Sequence, residues 1–178
     1  CIGDRVISMA PPEMTPVIRQ ALAMGADRAI LLSDRAFGGS DTLGTAYILS
    51  EAIKAAGDFD LVLCGNETID SGTAQVSAQV AEFLDVPNLM FVSRIESVQG
   101  SFFRVRCQSE GGYRVVEISP PMVLAVLKEI NNPRYVTMMN ILAAEEKEIR
   151  VWSSGDLQLT EPCFGLADSP TRMVDLFK

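Results

Sequence analysis

Apolar residues fall along this chain in two rhythms, and the alternation between them lays out the elements. Arg5-Val6-Ile7-Ser8-Met9, Arg28-Ala29-Ile30-Leu31-Leu32 and Leu61-Val62-Leu63-Cys64 are short, nearly unbroken apolar runs. Each is too brief for a helix and reads as a buried core strand, the last of them covered on both faces. Between them the spacing changes to threes and fours. Met14, Val17, Ile18, Ala21 and Leu22 share one helix face, as do Leu43, Ala46, Leu49, Ile53 and Ala56, and then Val76, Val80, Phe83 and Leu84. Pro11-Pro12 suits the first turn of the first helix, and Gly25 and Gly57 stop the first and second. Asp41 or Thr42 opens the second helix, and Asp70 or Ser71 suits the cap of the third. Strand–helix alternation of this kind predicts right-handed crossovers and a parallel sheet.

After Pro87 the pattern changes. Leu89-Met90-Phe91-Val92 is another short strand, and Phe102–Cys107 and Tyr113–Ile118 flank the turn residues Glu110-Gly111-Gly112 as an antiparallel hairpin. Met122–Val126 is a further buried strand. Asn131-Asn132-Pro133-Arg134-Tyr135 is turn chemistry, Thr137 caps a short helix through Ala144, and Glu145-Glu146-Lys147-Glu148 reads as a solvated face. The tail from Ser153 to Lys178, with Pro162, Gly165 and Pro170, reads as an extended arm. The expected organisation is a nucleotide-binding α/β domain over 1–150 and an arm over 151–178 that contacts a partner. A chain that opens on a core strand without an initiator Met is expected to lack an N-terminal portion.

Charge and composition narrow the function. A formal charge of −8 and a pI near 4.6 argue against nucleic acid or an anionic membrane surface as partner. No apolar run reaches the roughly 18 residues of a spanning helix, so no membrane insertion is expected. The opening Cys1-Ile2-Gly3-Asp4-Arg5 is no signal peptide, and four cysteines without CxxC spacing fit reduced thiols in a cytoplasmic protein. Histidine is absent, which removes Ser–His and Cys–His catalysis and the usual zinc and iron ligand sets. No catalytic and no metal-ligating residue is assigned, and a binding subunit is favoured over a self-contained catalyst.

One stretch carries candidate chemistry. The strand Leu61–Cys64 ends at Gly65, a polar loop of Asn66, Glu67, Thr68, Ile69, Asp70, Ser71 and Gly72 follows, and a helix begins shortly after. That order presents backbone N–H groups to an anion at the carboxyl end of a parallel strand. An ordinary βα turn fits the same pattern. The loop Ser33–Ser40 lies on the same rim.

The chain resembles the beta subunit of electron transfer flavoprotein. The resemblance rests on Ala21-Leu22-Ala23-Met24-Gly25-Ala26-Asp27-Arg28-Ala29, on Phe59–Gly65 with Ile69-Asp70 and Thr73-Ala74-Gln75-Val76, on Asn132-Pro133-Arg134-Tyr135 with Asn140-Ile141, and on Ser169-Pro170-Thr171-Arg172. It implies a Rossmann-like, adenine nucleotide alpha hydrolase-like fold: a mostly parallel sheet with an added antiparallel hairpin and an extended C-terminal arm. It implies an alpha-subunit partner that holds most of the redox-active FAD, and AMP or a second FAD in the beta subunit. The nucleotide residues carried over are Met9 and the run Gly65, Asn66, Glu67, Thr68, Ile69, Asp70, Ser71, Gly72, Thr73, Ala74, Gln75 and Val76. Electron-bifurcating members read Asp-Gly-Asp-Thr-Ala-Gln-Val-Gly-Pro where this chain has Asp70–Ala78, so AMP and FAD both stay open. Arg134, Tyr135, Met138, Asn140 and Ile141 match the loop that recognises redox partner dehydrogenases, Met138 standing at its apolar anchor. Function then follows as an electron-carrier subunit, cytoplasmic or of the mitochondrial matrix in a eukaryote. The alternative is a stand-alone adenine-nucleotide-binding or hydrolysing domain.

Overall fold

A computed structural model describes residues 3–69 and 72–171. In chain order the elements are β1 (Arg5–Met9), α1 (Thr15–Met24), β2 (Arg28–Leu32), α2 (Thr42–Ala56), β3 (Leu61–Gly65), α3 (Val76–Leu84), β4 (Asn88–Gln99), β5 (Phe102–Ser109), β6 (Gly112–Ile118), β7 (Met122–Val126), α4 (Met138–Glu146), β8 (Ile149–Trp152) and α5 (Gly165–Asp168). The chain is α/β and divides into two compact units, one of residues 1–55 with 133–178 and the other of 56–132. Among the described residues the strands form two sheets where the sequence predicts one: the alternation fixes the parallel pairings but not how far a sheet continues.

The first unit holds a three-stranded, wholly parallel sheet in the order β1-β2-β8. Its central strand is the apolar run Ala29–Leu32, whose four residues are each at most 4% exposed. Ile18, Leu22 and Ala23 of α1 pack with Ala29, Leu31 and Ala144. Met14 and Val17, expected on the same buried face, are exposed at the helix start. Val151 and Trp152 are strand residues paired to Leu31 and Leu32, although the sequence places them in the arm.

Two cations join α1 to α4 by capping helix ends. The Arg19 guanidinium donates to the Ala144 and Lys147 carbonyls at the end of α4. Lys147 Nζ donates to the Leu22 and Ala26 carbonyls at the end of α1, at 3.0 and 2.6 Å. Both charges sit at the C-terminal end of a helix, where a cation complements the carbonyl-rich end of the helix dipole. Lys147 therefore departs from the solvated face that its acidic neighbours suggest.

The second unit carries a five-stranded mixed sheet in the order β3-β7-β4-β5-β6. β3, β7 and β4 run parallel, and β4-β5-β6 is an antiparallel meander. The β5–β6 hairpin turns at Glu110-Gly111 as expected. β4 is longer than the sequence indicates, because it pairs with β7 along its first half and with β5 along its second. Val92, Val105, Cys107, Met122 and Leu124 form the core. β3, read as buried on both faces, is one of the two edge strands, and Leu63 is 57% exposed.

Candidate functional site

The loop after β3 belongs to the second unit. Its root is fixed by Asn66, which is 8% exposed: its backbone N–H donates to the Val126 carbonyl at 3.1 Å, and its side-chain Oδ1 accepts from the Phe91 backbone N–H at 3.2 Å. Asn66 thus has a structural part in this sheet beside the ligand role carried over to it. Glu67 and Thr68 face solvent, and Ile69 is fully exposed. Asp70 and Ser71 lie outside the described residues. The Gly72 amide closes a turn on the Thr68 carbonyl at 3.0 Å.

Gly72 at φ +56° and Ala74 at φ +52° are both left-handed, flanking Thr73. A non-glycine residue rarely adopts this conformation. α3 then starts later than the sequence suggests. Gln75 holds its cap position with no side-chain cap bond, so Asp70 and Ser71 fall too early to cap it. The first intrahelical bond runs from Gln79 N to Gln75 O at 3.1 Å, so the amides of Val76, Ser77 and Ala78 precede the helical ladder.

The helix start also holds buried polar atoms without partners. The hydroxyl of Ser77, a residue only 2% exposed, has no hydrogen-bond partner, nor has the buried Oε1 of Gln79. Leaving such groups unpaired is costly. A Cβ built on Gly65 meets nothing within 4 Å, and one on Gly72 meets only the Thr68 carbonyl oxygen at 3.9 Å. Open space around the loop, left-handed backbone, leading helix amides and an orphaned hydroxyl suit a phosphate group. The sequence reading stops at Val76 and misses Ser77. Its signal was a small polar residue in the first turn, on the face of Val80 and Ala81. Burial pushes the Cys64 thiol up at the end of β3, which keeps it protonated and unreactive.

Met9 lies in the first unit, at the carboxyl end of β1. There it lines a cleft of about 820 Å³ with Pro11, Leu32, Asp34, Phe37 and Gly39. Asp34 is already engaged. Ser154 donates to its Oδ2 through the hydroxyl at 2.6 Å and the amide at 2.9 Å, and the Ala36 amide donates to Oδ1 at 2.9 Å. The Ser154 hydroxyl, then these amides, hold the Asp34 pKa down to about 2.

The residues matched to the recognition loop gather on the first unit. Thr137 caps α4 as expected, its Oγ1 accepting from Asn140 N at 3.2 Å. Arg134 is exposed, Tyr135 is 98% exposed and Met138 70%. Met139, Ile141 and Leu142 add to the same exposed apolar stretch, and Ala144 is the one buried residue of the helix. Met138 is therefore a surface residue and not a core one. The sequence reading omits Met139 and Leu142, whose signal was an apolar run without a matching buried face.

Comparison with known proteins gives the family. The electron transfer flavoprotein domain matches residues 5–157. The chain is 42% identical over 168 residues to the electron transfer flavoprotein subunit beta of Clostridium acetobutylicum, covering 94% of this chain and 64% of the relative. It is also 42% identical to the caffeyl-CoA reductase-Etf complex subunit CarD of Acetobacterium woodii, over 97% of this chain and 65% of that protein. To protein FixA of Azorhizobium caulinodans the identity is 38%, over 97% and 64%. The chain belongs to the electron transfer flavoprotein family, among its beta subunits. It spans slightly less than two thirds of the length of these curated relatives. Among the described residues no helix is long and apolar enough to cross a membrane.

Proposed function

We propose that the chain is part of a cytoplasmic electron-carrier beta subunit that binds an adenine nucleotide, AMP or a second FAD, and works beside an alpha subunit holding the redox-active FAD. The fold behind this reading is the adenine nucleotide alpha hydrolase-like version of a Rossmann sheet. The observation that carries it is the buried, unpartnered Ser77 hydroxyl at the start of α3, behind the left-handed Gly72 and Ala74. Phosphate oxygens would accept from the amides of Val76–Ala78 and from the Ser77 hydroxyl, with Thr73 and Gln75 as further donors. Asp70, Ser71 and Met9 complete the candidate set on the family resemblance. The FAD supplies the electron chemistry when bound. This chain's residues bind, orient and set the local electrostatics, with no covalent step of their own.

The exposed Arg134–Leu142 stretch would dock the redox partner dehydrogenase, with Met138 as its flexible apolar anchor. Residues 151–178 would contact the alpha subunit. Mass spectrometry of nucleotides released by denaturing the native assembly tests the first part. AMP or FAD in stoichiometric amount is expected, and its loss from the Gly72→Val variant. Valine is strained at φ +56° and fills the approach to the loop. Full nucleotide occupancy in Gly72→Val places the ligand elsewhere.

A further inference from the structure

The wall of the 820 Å³ cleft in the first unit has a second side. Phe37, Gly39 and Ser40 line the cleft, and each of them is also touched from behind by the segment between Thr160 and Thr171. The contacts are specific. The Tyr47 hydroxyl of α2 accepts from the Thr160 amide at 2.8 Å and the Glu161 amide at 3.0 Å. Ser40 Oγ donates to the Phe37 carbonyl and accepts from the Gly165 amide, both at 2.7 Å. Asp41 N donates to Ser169 Oγ at 3.1 Å. One Asp41 carboxylate oxygen accepts from Gly44 N and the other from Thr171 N, each at 2.9 Å, so one side chain caps α2 and ties down the segment. The Phe164 ring lies 6.2 Å from Phe37 at 65° and 6.4 Å from Tyr47.

The backbones meet as closely as they can. A Cβ on Gly44 would stand 2.7 Å from the Cys163 carbonyl oxygen and 2.9 Å from the Phe164 Cα. A Cβ on Gly165 would stand 2.5 Å from the Ala36 carbonyl oxygen. Glycine at these positions is what lets the segment lie flat on α2 and on the loop. This cover also accounts for the burial of Gly44 and Tyr47, which lie outside the face expected of α2.

We propose that residues 160–171 form a strap whose seating fixes the Asp34–Ser40 loop, so that the shape of the cleft depends on whether the strap is in place. Removing the strap uncovers Phe37 and Tyr47 and strips Ser40 and Asp41 of their distant partners. The loop then keeps its anchor at Asp34, held by Ser154 and Ala36, and its own short turns, Phe37 N to Asp34 O, Gly38 N to Arg35 O and Ser40 N to Phe37 O, while Phe37–Ser40 lose their outer support. A segment held by a few hydrogen bonds and one aromatic side chain opens at lower cost than the β1-β2-β8 sheet of the same unit. Any partner that takes up this strap would therefore loosen the cleft wall. This coupling lies in the first unit and does not rest on the nucleotide reading of the Gly65–Val76 loop.

Hydrogen exchange of the whole protein, read by mass spectrometry, tests it. Gly44→Val wedges the strap from below, and Phe164→Ala removes its anchor while leaving α2 and the loop unaltered. Exchange over 160–169 and over 34–40 should accelerate together, by at least about tenfold, while Ala29–Leu32 keeps its protection. Alkylation of Cys163 should quicken in parallel. A freed strap with an unchanged loop overturns the proposal, as does a loop that loosens while the strap stays protected. If Gly44→Val also exposes Ala29–Leu32, the same comparison is decided on Phe164→Ala.

Discussion

β2 and β3 read alike in sequence and end in different places. Ala29-Ile30-Leu31-Leu32 and Leu61-Val62-Leu63-Cys64 are four-residue apolar runs at the same point of a strand–helix alternation. β2 has a parallel neighbour on each side and a core against α1. β3 has β7 alone as its hydrogen-bonded neighbour in the sheet, and Leu63 faces outward. An apolar run records the environment selected for a strand. It does not record which neighbours supply that environment. An unguarded apolar parallel edge, with no proline or charge within it, is also unusual.

Truncating the two strands breaks or sharpens this contrast. Leu31→Ala, at a position with no exposure, should cost about 2–5 kcal/mol in urea unfolding. Leu63→Ala should cost less than about 1 kcal/mol. A loss at Leu63 as large as that at Leu31 would mean that β3 is covered in the native assembly, and that the sequence reading of this strand holds there.

The next effect is smaller and concerns a surface. Met138→Ala should weaken capture of the partner dehydrogenase by about 1–2 kcal/mol, which is roughly fivefold to thirtyfold in half-saturation. The melting temperature should barely move, since Met138 is exposed. Met139→Ala and Leu142→Ala should show the same split with lesser effects. A lowered melting temperature with unchanged half-saturation would remove the docking role.

The smallest effect is a pH dependence confined to the first unit. Asp34 is held near a pKa of about 2, below the ordinary value of 3.8, by its bonds to Ser154 and Ala36. Its contribution is present above the ordinary value and is lost as pH falls through the folded one. Asp34→Asn should therefore be less stable than the parent near neutral pH, with the gap closing between about pH 4 and pH 2. A gap that is constant with pH in thermal melts would show that the carboxylate charge is not what holds Ser154.

What was legible follows from the range of each signal. The Thr137 cap, the stop at Gly25 and the Glu110-Gly111 hairpin are written within a few residues, and each is where the sequence places it. The bonds from Asp34 to Ser154 and from Asp41 to Thr171 join residues 120 and 130 positions apart, and no local pattern marks them. The loop after β3 was legible as a strand–loop–helix sequence. The buried Ser77 hydroxyl was not, because a serine in a first turn ordinarily reads as a solvated residue. Lys147 was hidden in a run of acidic neighbours whose pattern suggested solvent.

The bond between Asn66 and Phe91 limits how this loop can evolve. Phe91 sits at φ +56° where β4 shifts register, and its amide relies on the Asn66 side chain. Proline at 91 would remove the donor but cannot adopt that angle. Glycine would relax the angle yet keep the donor. Position 66 is thus held to a short side chain that accepts a hydrogen bond, whatever the loop binds. On the proposed nucleotide reading, adaptation to a different ligand would proceed through positions 67–77, with the first polar residue of the loop answering to the sheet beneath it.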